Sequence, residues 1–150
     1  MIKGVIIKKL EEYSDERGWL TEVFRNDEID QDLRPVMSFV VSSVPGKVRG
    51  LHEHKDQKEM FCFLGDTDFR FYLWDNRKDS ETYKEKLVLD FKKGERNLII
   101  VPPGIVHACK NVGDKNGFFI AYTNKLYKGE NRQEEVDEIN YDENSEFKVD

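Results

Sequence analysis

GKVRGLHEHKDQKEMFCFLG, Gly46 to Gly65, holds two of the chain's three histidines in a single His-x-His. Side chains two apart on a strand share a face, so His52 and His54 project together into whatever that face covers. The third histidine, His107, lies in VPPGIVHACKN at 101–111. A later strand that brings it alongside the pair would make a three-imidazole site.

Outward from that stretch, short β-branched and aromatic runs recur between turn signals. They are VII at 5–7, WLTEVF at 19–24, VMSFVVSS at 36–43, EMFCFL at 59–64, FRFYLW at 69–74, KLVLDF at 86–91, LIIV at 98–101 and GFFIAYT at 117–123. Runs of this length closed by PGK, LGD, KKG, PPG and VGDKNG predict an all-β sandwich or barrel. Helix is expected only as a turn near Asn26–Asp32 and something short after Tyr127. The charged stretch 128–150 reads as a solvated tail anchored around Ile139 and Tyr141.

At 150 residues the chain is long enough for one well-buried core and short for two, so residues 1–150 are read as one domain. The net charge of −6 argues against nonspecific binding to nucleic acid or to anionic membranes, both of which need clustered Lys and Arg. No signal-peptide core and no run of about 20 apolar residues is present, which predicts a cytoplasmic protein. Cys62 and Cys109 are too few for a disulfide framework and are expected to be reduced and buried.

Two patterns carry a family resemblance. Gly46-x5-His52-x-His54 followed by a strand into Gly65, and Pro102-x-Gly104-x2-His107-x3-Asn111, resemble the paired motifs of the cupin superfamily. The resemblance implies a cupin-type jelly-roll barrel with both motifs at one end of its lumen. Asp15-Glu16-Arg17-Gly18 with Glu22, then Val48-Arg49-Gly50-Leu51-His52, Asp75-x-Arg77-x2-Ser80-x-Thr82-Tyr83 and Ile100-Val101-Pro102-x-Gly104-x2-His107 are similar, in order, to the dTDP-4-dehydrorhamnose 3,5-epimerase family.

A metal-binding cupin places a carboxylate seven residues before the glycine that ends the strand, and Lys58 stands there. A one-residue slip reverses a strand side chain. Glu59 is therefore expected to point away from the imidazoles, with Lys58 and Met60 pointing toward them. This predicts a site with no metal and no other cofactor.

What the resemblance implies is metal-independent epimerisation of a nucleotide-linked 4-keto-6-deoxy sugar at C3, C5 or both, in surface-polysaccharide synthesis. His52 would be the base, since imidazole titrates near neutrality. Lys58 would stabilise the enolate oxygen. Tyr122 would be the acid on the opposite sugar face, although the loop GDKNG lets the neighbouring alanine or isoleucine fall at the same place.

Arg49 would meet the diphosphate, with His54 and His107 beside the substrate. Arg17 and Glu22 would reach the nucleotide of a neighbouring subunit, which requires a homodimer. The family's late Asp that orients the catalytic histidine has no evident counterpart; His54, Asp68 or a tail acid could replace it. Three alternatives remain open: a sugar-nucleotide 3,4-ketoisomerase, resembled by HEHK; a metal-dependent cupin using His52, His54 and His107; and a noncatalytic ligand-binding barrel.

Overall fold

A computed structural model describes residues 1–150. Twelve strands appear in chain order: β1 (Ile6–Lys9), β2 (Tyr13–Asp15), β3 (Gly18–Leu20), β4 (Met37–Ser43), β5 (Val48–Glu53), β6 (Glu59–Phe63), β7 (Phe69–Asp75), β8 (Lys86–Phe91), β9 (Asn97–Val101), β10 (Ile105–Asn111), β11 (Gly117–Thr123) and β12 (Ile139–Asn140). Ten of them form two five-stranded antiparallel sheets, ordered β1-β9-β6-β11-β4 and β12-β5-β10-β7-β8, while β2 and β3 make a separate hairpin. The expected all-β jelly roll is what forms. The two sheets face each other without a ladder joining them.

Alternation on the strands decides what lies between the sheets. Phe61 and Phe63 of β6, Phe69, Phe71 and Leu73 of β7, and Phe119 and Ala121 of β11 belong to one buried cluster drawing on both sheets. Burying each such side chain is worth about 1.5–3 kcal/mol, so this cluster is the chief source of stability. The intervening residues of β6 and β11, Met60, Cys62, Ile120 and Tyr122, pack outside the first sheet against Leu10, Phe24 and Leu33. The outer face of the second sheet, Tyr72, Trp74, Val106 and Ala108, is covered by Phe147 with Tyr141 and Val149.

Two expectations change here. The run at 19–24 is strand only to Leu20, because Val23 and Phe24 turn inward to cover the outer cluster. The C-terminal residues are anchored at Ile139 and Tyr141 as expected, but attachment continues to Phe147 and Asp150, which makes a strap rather than a solvated tail. Tyr141 Oη donates to Glu53 at 2.7 Å, and the Asp150 main-chain oxygen accepts from Tyr72 Oη at 2.9 Å. The two helical expectations reduce to single 3-10 turns, Gln31–Leu33 and Glu130–Arg132. Both cysteines are free and buried, and burial pushes the Cys62 thiol up to about 11.

Candidate active site

The site begins with an irregularity in β5. His52 pairs directly with His107, but the next partner of Ala108 is Gly50, so Leu51 is an extra residue on its strand. Such a bulge shifts the in-out alternation by one. Gly50 has φ +90°, and a Cβ there would lie 2.5 Å from the His107 carbonyl oxygen, so only glycine fits. Leu51 packs outward near Trp74, while Arg49 and His52, three apart in sequence, line the same cavity.

That cavity, about 390 Å³, runs between the sheets, with His52, Glu59, Phe61, His107 and Phe119 among its walls. A more open cleft of about 710 Å³ adjoins it, sharing Phe39, Glu59 and Glu138 and bounded by the 123–130 and 134–138 segments. Volumes of this size suit a small organic ligand.

The three imidazoles do come together. Ring centroids of His52 and His107 are 4.5 Å apart, those of His52 and His54 5.5 Å, and those of His54 and His107 6.0 Å. A fourth group joins them. Glu59 Oε2 lies 3.0 Å from His107 Nε2 and 3.2 Å from His54 Nε2. One donor atom from each of His52, His54, Glu59 and His107 falls within 4.8 Å of the others, a nitrogen-rich set able to hold a transition-metal ion.

Backbone carbonyls fix two of the rings. His107 Nδ1 sits 3.0 Å from the Ile105 oxygen, and His54 Nδ1 meets the main-chain oxygen of Asp137. The Asp137 carboxylate in turn accepts from the amides of Lys55 (3.0 Å), Asp56 (3.0 Å) and Gln57 (2.7 Å), clamping the loop that follows His54. The strap therefore orients His54, through the main-chain oxygen of Asp137, and its carboxylate holds the loop rather than His52, the ring for which a tail acid is one of three options in the sequence.

Burial, with His107 close by, depresses His52 to about 3, so its imidazole is neutral near pH 7. Burial also pulls His54 down, but the hydrogen bond and charge of Glu59 outweigh it and hold His54 above its ordinary value. For Glu59 burial favours the acid form, yet the two imidazole hydrogen bonds win and keep its carboxyl well below the usual carboxylate range.

Several expected site residues lie elsewhere. Lys58 pairs with Asp32 at the surface, and Glu59 occupies the interior position the lysine was expected to fill. The directions are reversed because β6 is buried on both faces, so apolar alternation alone does not say which face is interior. Counting from Gly65 misled, since the strand ends at Phe63. With Lys58 outside, the ground for expecting a metal-free site is gone.

Tyr122 also points outward, its ring 5.3 Å from that of Phe24, and Ala121 takes the interior place. Arg17 is exposed and pairs with Asp15 at 2.5 Å, Glu22 lies 4.0 Å from Arg25, and neither lines the cavity. Arg49 does line it, its guanidinium donating to the Ser42 carbonyl at 2.6 Å. Glu59 was expected to face away from the site, and Gln57, Asp137 and Glu138 were not expected there. Only Glu59 left a signal, as an acid five residues past the His-x-His.

Facing sheets with a histidine–carboxylate cluster at the interior end of a strand pair define a cupin-type jelly-roll protein. A family model described as dTDP-4-dehydrorhamnose 3,5-epimerase matches residues 1–145, and the chain belongs to that family, whose members are isomerases. A probable low-salt glycan biosynthesis epimerase, Agl13, of Haloferax volcanii is 36% identical over 139 residues, covering 89% of this chain and 86% of that one. The spore coat polysaccharide biosynthesis protein SpsL of Bacillus subtilis is 29% identical, covering 99% of this chain and 100% of its own. Among solved structures, a dTDP sugar isomerase from Desulfovibrio desulfuricans superposes with a TM-score of 0.83 at 15% identity, covering 96% of this chain and 87% of that one. ChmJ, a 3'-monoepimerase from Streptomyces bikiniensis in complex with dTDP-quinovose, gives 0.76 at 19% identity, covering 84% and 66%. At these identities the structural likeness speaks for the fold.

Proposed function

We propose that this protein, acting as one domain, epimerises a nucleotide-linked 4-keto-6-deoxy sugar by moving a proton at the carbon beside the ketone. The observation that carries the reading is His52, a neutral imidazole facing a cavity that also holds Arg49. A neutral imidazole can accept a proton directly, and positioned acid–base catalysis contributes about 10²–10⁴-fold. Arg49 offers a guanidinium fork suited to a diphosphate. The dTDP-sugar bound to ChmJ and the glycan-synthesis roles in the names of Agl13 and SpsL support the substrate class and a place in surface-glycan synthesis.

Inversion needs an acid on the other face of the sugar. With Tyr122 outside, Glu138, which lines both hollows, is the carboxylate on the cavity wall beyond the histidine cluster. We assign it to proton return, its carboxyl taking a proton from solvent through the open cleft and passing it to the carbanion carbon. A homodimer is supported by the exposed Phe39 and Val40 on edge strand β4 and by the hairpin bearing Trp19 and Leu20, which an isolated chain leaves exposed. In such a pair Arg17 and Glu22 would approach the partner's nucleotide. Two free, reduced cysteines fit the cytoplasm, where nucleotide sugars are consumed.

The test is incubation with dTDP-, UDP- and GDP-linked 4-keto-6-deoxy sugars in D₂O, read by NMR. Deuterium should enter C3 or C5 with wild type and be lost with His52→Asn. Glu138→Gln should retain exchange but lose net inversion. No exchange by wild type on any of the sugars sinks the proposal, and migration of the keto group to C3 would mark a ketoisomerase instead.

A further inference from the structure

We propose that Tyr141 is a positioning residue: its hydroxyl, locked to Glu53 and Asn76, sets the register of the strap on β5 and so holds Glu138 where it can return a proton, a role that rests on the epimerase reading.

The strap meets β5 through a short ladder, Ile139 opposite Glu53 and Asn140 opposite His52, extended by the Tyr141 amide donating to the Leu51 oxygen at 2.9 Å. So brief an edge pairing specifies its own register weakly, and a slip of one residue turns every side chain to the other face. Alternation puts Ile139 and Tyr141 on the outer side with Glu53, and Glu138 and Asn140 on the side of the cavity. Glu138 lines the cavity, and its Oε1 accepts from Asn140 Nδ2 at 2.8 Å. A slip would swing that carboxylate away from the sugar and leave the two sheets intact.

The lock opposes the slip. Tyr141 Oη donates to Glu53 Oε1 at 2.7 Å, and Asn76 Nδ2 lies 3.1 and 3.3 Å from the two oxygens of the same carboxylate and 3.1 Å from Tyr141 Oη. Glu53 is 7% exposed, and its partners are these uncharged donors, so loss of the hydroxyl leaves a buried charge poorly satisfied. Asn76 is tied in further: its amide donates to the Gly104 oxygen at 3.0 Å, and the Gly104 amide donates to the His54 oxygen at 2.9 Å. The strap is thereby joined to the strand carrying His52 and His54 and to the turn that leads into His107. Asp137 keeps its own three amide donors, so slack from a broken lock falls on Glu138, between the two anchors.

The chemical consequence is specific. His52 takes the carbon-bound proton from one face, and Glu138 gives a proton to the opposite face. With Glu138 displaced, the carbanion recovers its proton from the His52 imidazolium on the face it left. That proton exchanges with solvent, so label still enters the sugar while configuration is retained. A general loss of fold would lower both processes together.

The test uses Tyr141→Phe, Glu53→Gln and Phe147→Leu, each shown to be folded by circular dichroism. In D₂O, on whichever dTDP-, UDP- or GDP-linked 4-keto-6-deoxy sugar reacts, Tyr141→Phe should label within about 3-fold of wild type but invert at least about 10-fold more slowly. Glu53→Gln keeps an acceptor for the hydroxyl and should fall between. Phe147, whose ring is 4.9 Å from that of Tyr141, anchors the strap by packing alone, so Phe147→Leu should melt lower with the wild-type ratio of labelling to inversion. Without substrate, amide hydrogen exchange read by mass spectrometry should show the strap at 138–141 opening at least about 10-fold faster in Tyr141→Phe, with β7 and β10 unchanged. A folded Tyr141→Phe that inverts like wild type, or whose strap amides exchange like wild type, overturns the proposal, as does a Phe147→Leu that shifts the ratio equally. Wild type that neither labels nor inverts any of the sugars overturns the epimerase reading and the positioning role with it, and amide exchange then reports the lock by itself.

Discussion

Removing the Asp137 carboxylate should loosen the site without touching it. Asp137 Oδ1 accepts from the Lys55 amide at 3.0 Å, and Oδ2 from those of Asp56 at 3.0 Å and Gln57 at 2.7 Å. A hydrogen bond to a charged acceptor is worth about 1.5–3 kcal/mol when well shielded, and a single capping carboxylate about 0.5–2 kcal/mol. Three such donors on a partly exposed loop place Asp137→Ala at about 2–3 kcal/mol of lost stability. An opposing effect is present, since the substitution relieves repulsion with Asp56 and Glu138. Exposed like charges are worth only about 0.2–1 kcal/mol, so the lost hydrogen bonds win. For a chain of this size about 1 kcal/mol moves Tm by about 2–4 °C, which predicts a drop of about 5–10 °C by calorimetry. Asp137→Asn keeps one acceptor oxygen and should fall about midway. Because the loop holds His54, exchange should slow about 10-fold with the fold intact. An Asp137→Ala protein that melts within about 1 °C of wild type would refute this account of how the strap holds the site.

Other substitutions probe other links. Asp75 is buried and accepts from Arg77, Ser80 and Thr82; burial alone would raise its carboxyl, but those donors hold it well below the usual carboxylate range. With a folded value below the unfolded one, its stabilisation is present above about pH 4 and lost as pH falls below that, so Asp75→Asn should cost about 3–5 kcal/mol at pH 7 and flatten the acid limb of a stability–pH curve. Gly50→Ala combines a φ of +90° with a 2.5 Å approach to the His107 carbonyl, so it should cost about 3 kcal/mol or more in urea unfolding. Tyr122→Phe should exchange deuterium within about 3-fold of wild type, because the hydroxyl lies outside the cavity; a loss of the order of 10²-fold, the scale of a lost general acid, would return it to the site.

How much was legible in the sequence differs by element. The His-x-His pair and His107 could be read because a strand's period of two and a second motif both point to one face, and the structure pairs His52 directly with His107. Arg49, three residues before His52, would fall on the opposite face of a regular strand; the bulge at Leu51 brings it to the same cavity. Direction on β6 could not be read, since Met60 and Phe61 are equally buried and one face is interior only because phenyl rings from β7 and β11 meet it. That ambiguity exchanged Lys58 for Glu59. Asp137 left no local signal: its partners are about eighty residues earlier, and the strap that delivers it is held by scattered residues, Tyr141, Phe147 and Val149, in a highly charged stretch.

The central claim is that Glu59, not Lys58, completes the histidine cluster. It is tested most directly by measuring deuterium wash-in on the preferred 4-keto sugar for Lys58→Ala and Glu59→Gln side by side, with both shown to be folded. The account predicts that Lys58→Ala exchanges within about 3-fold of wild type and that Glu59→Gln loses about 10²-fold or more, the scale expected for a charge placed at a reacting centre. The opposite ranking, with Lys58→Ala inactive and Glu59→Gln unimpaired, would contradict it.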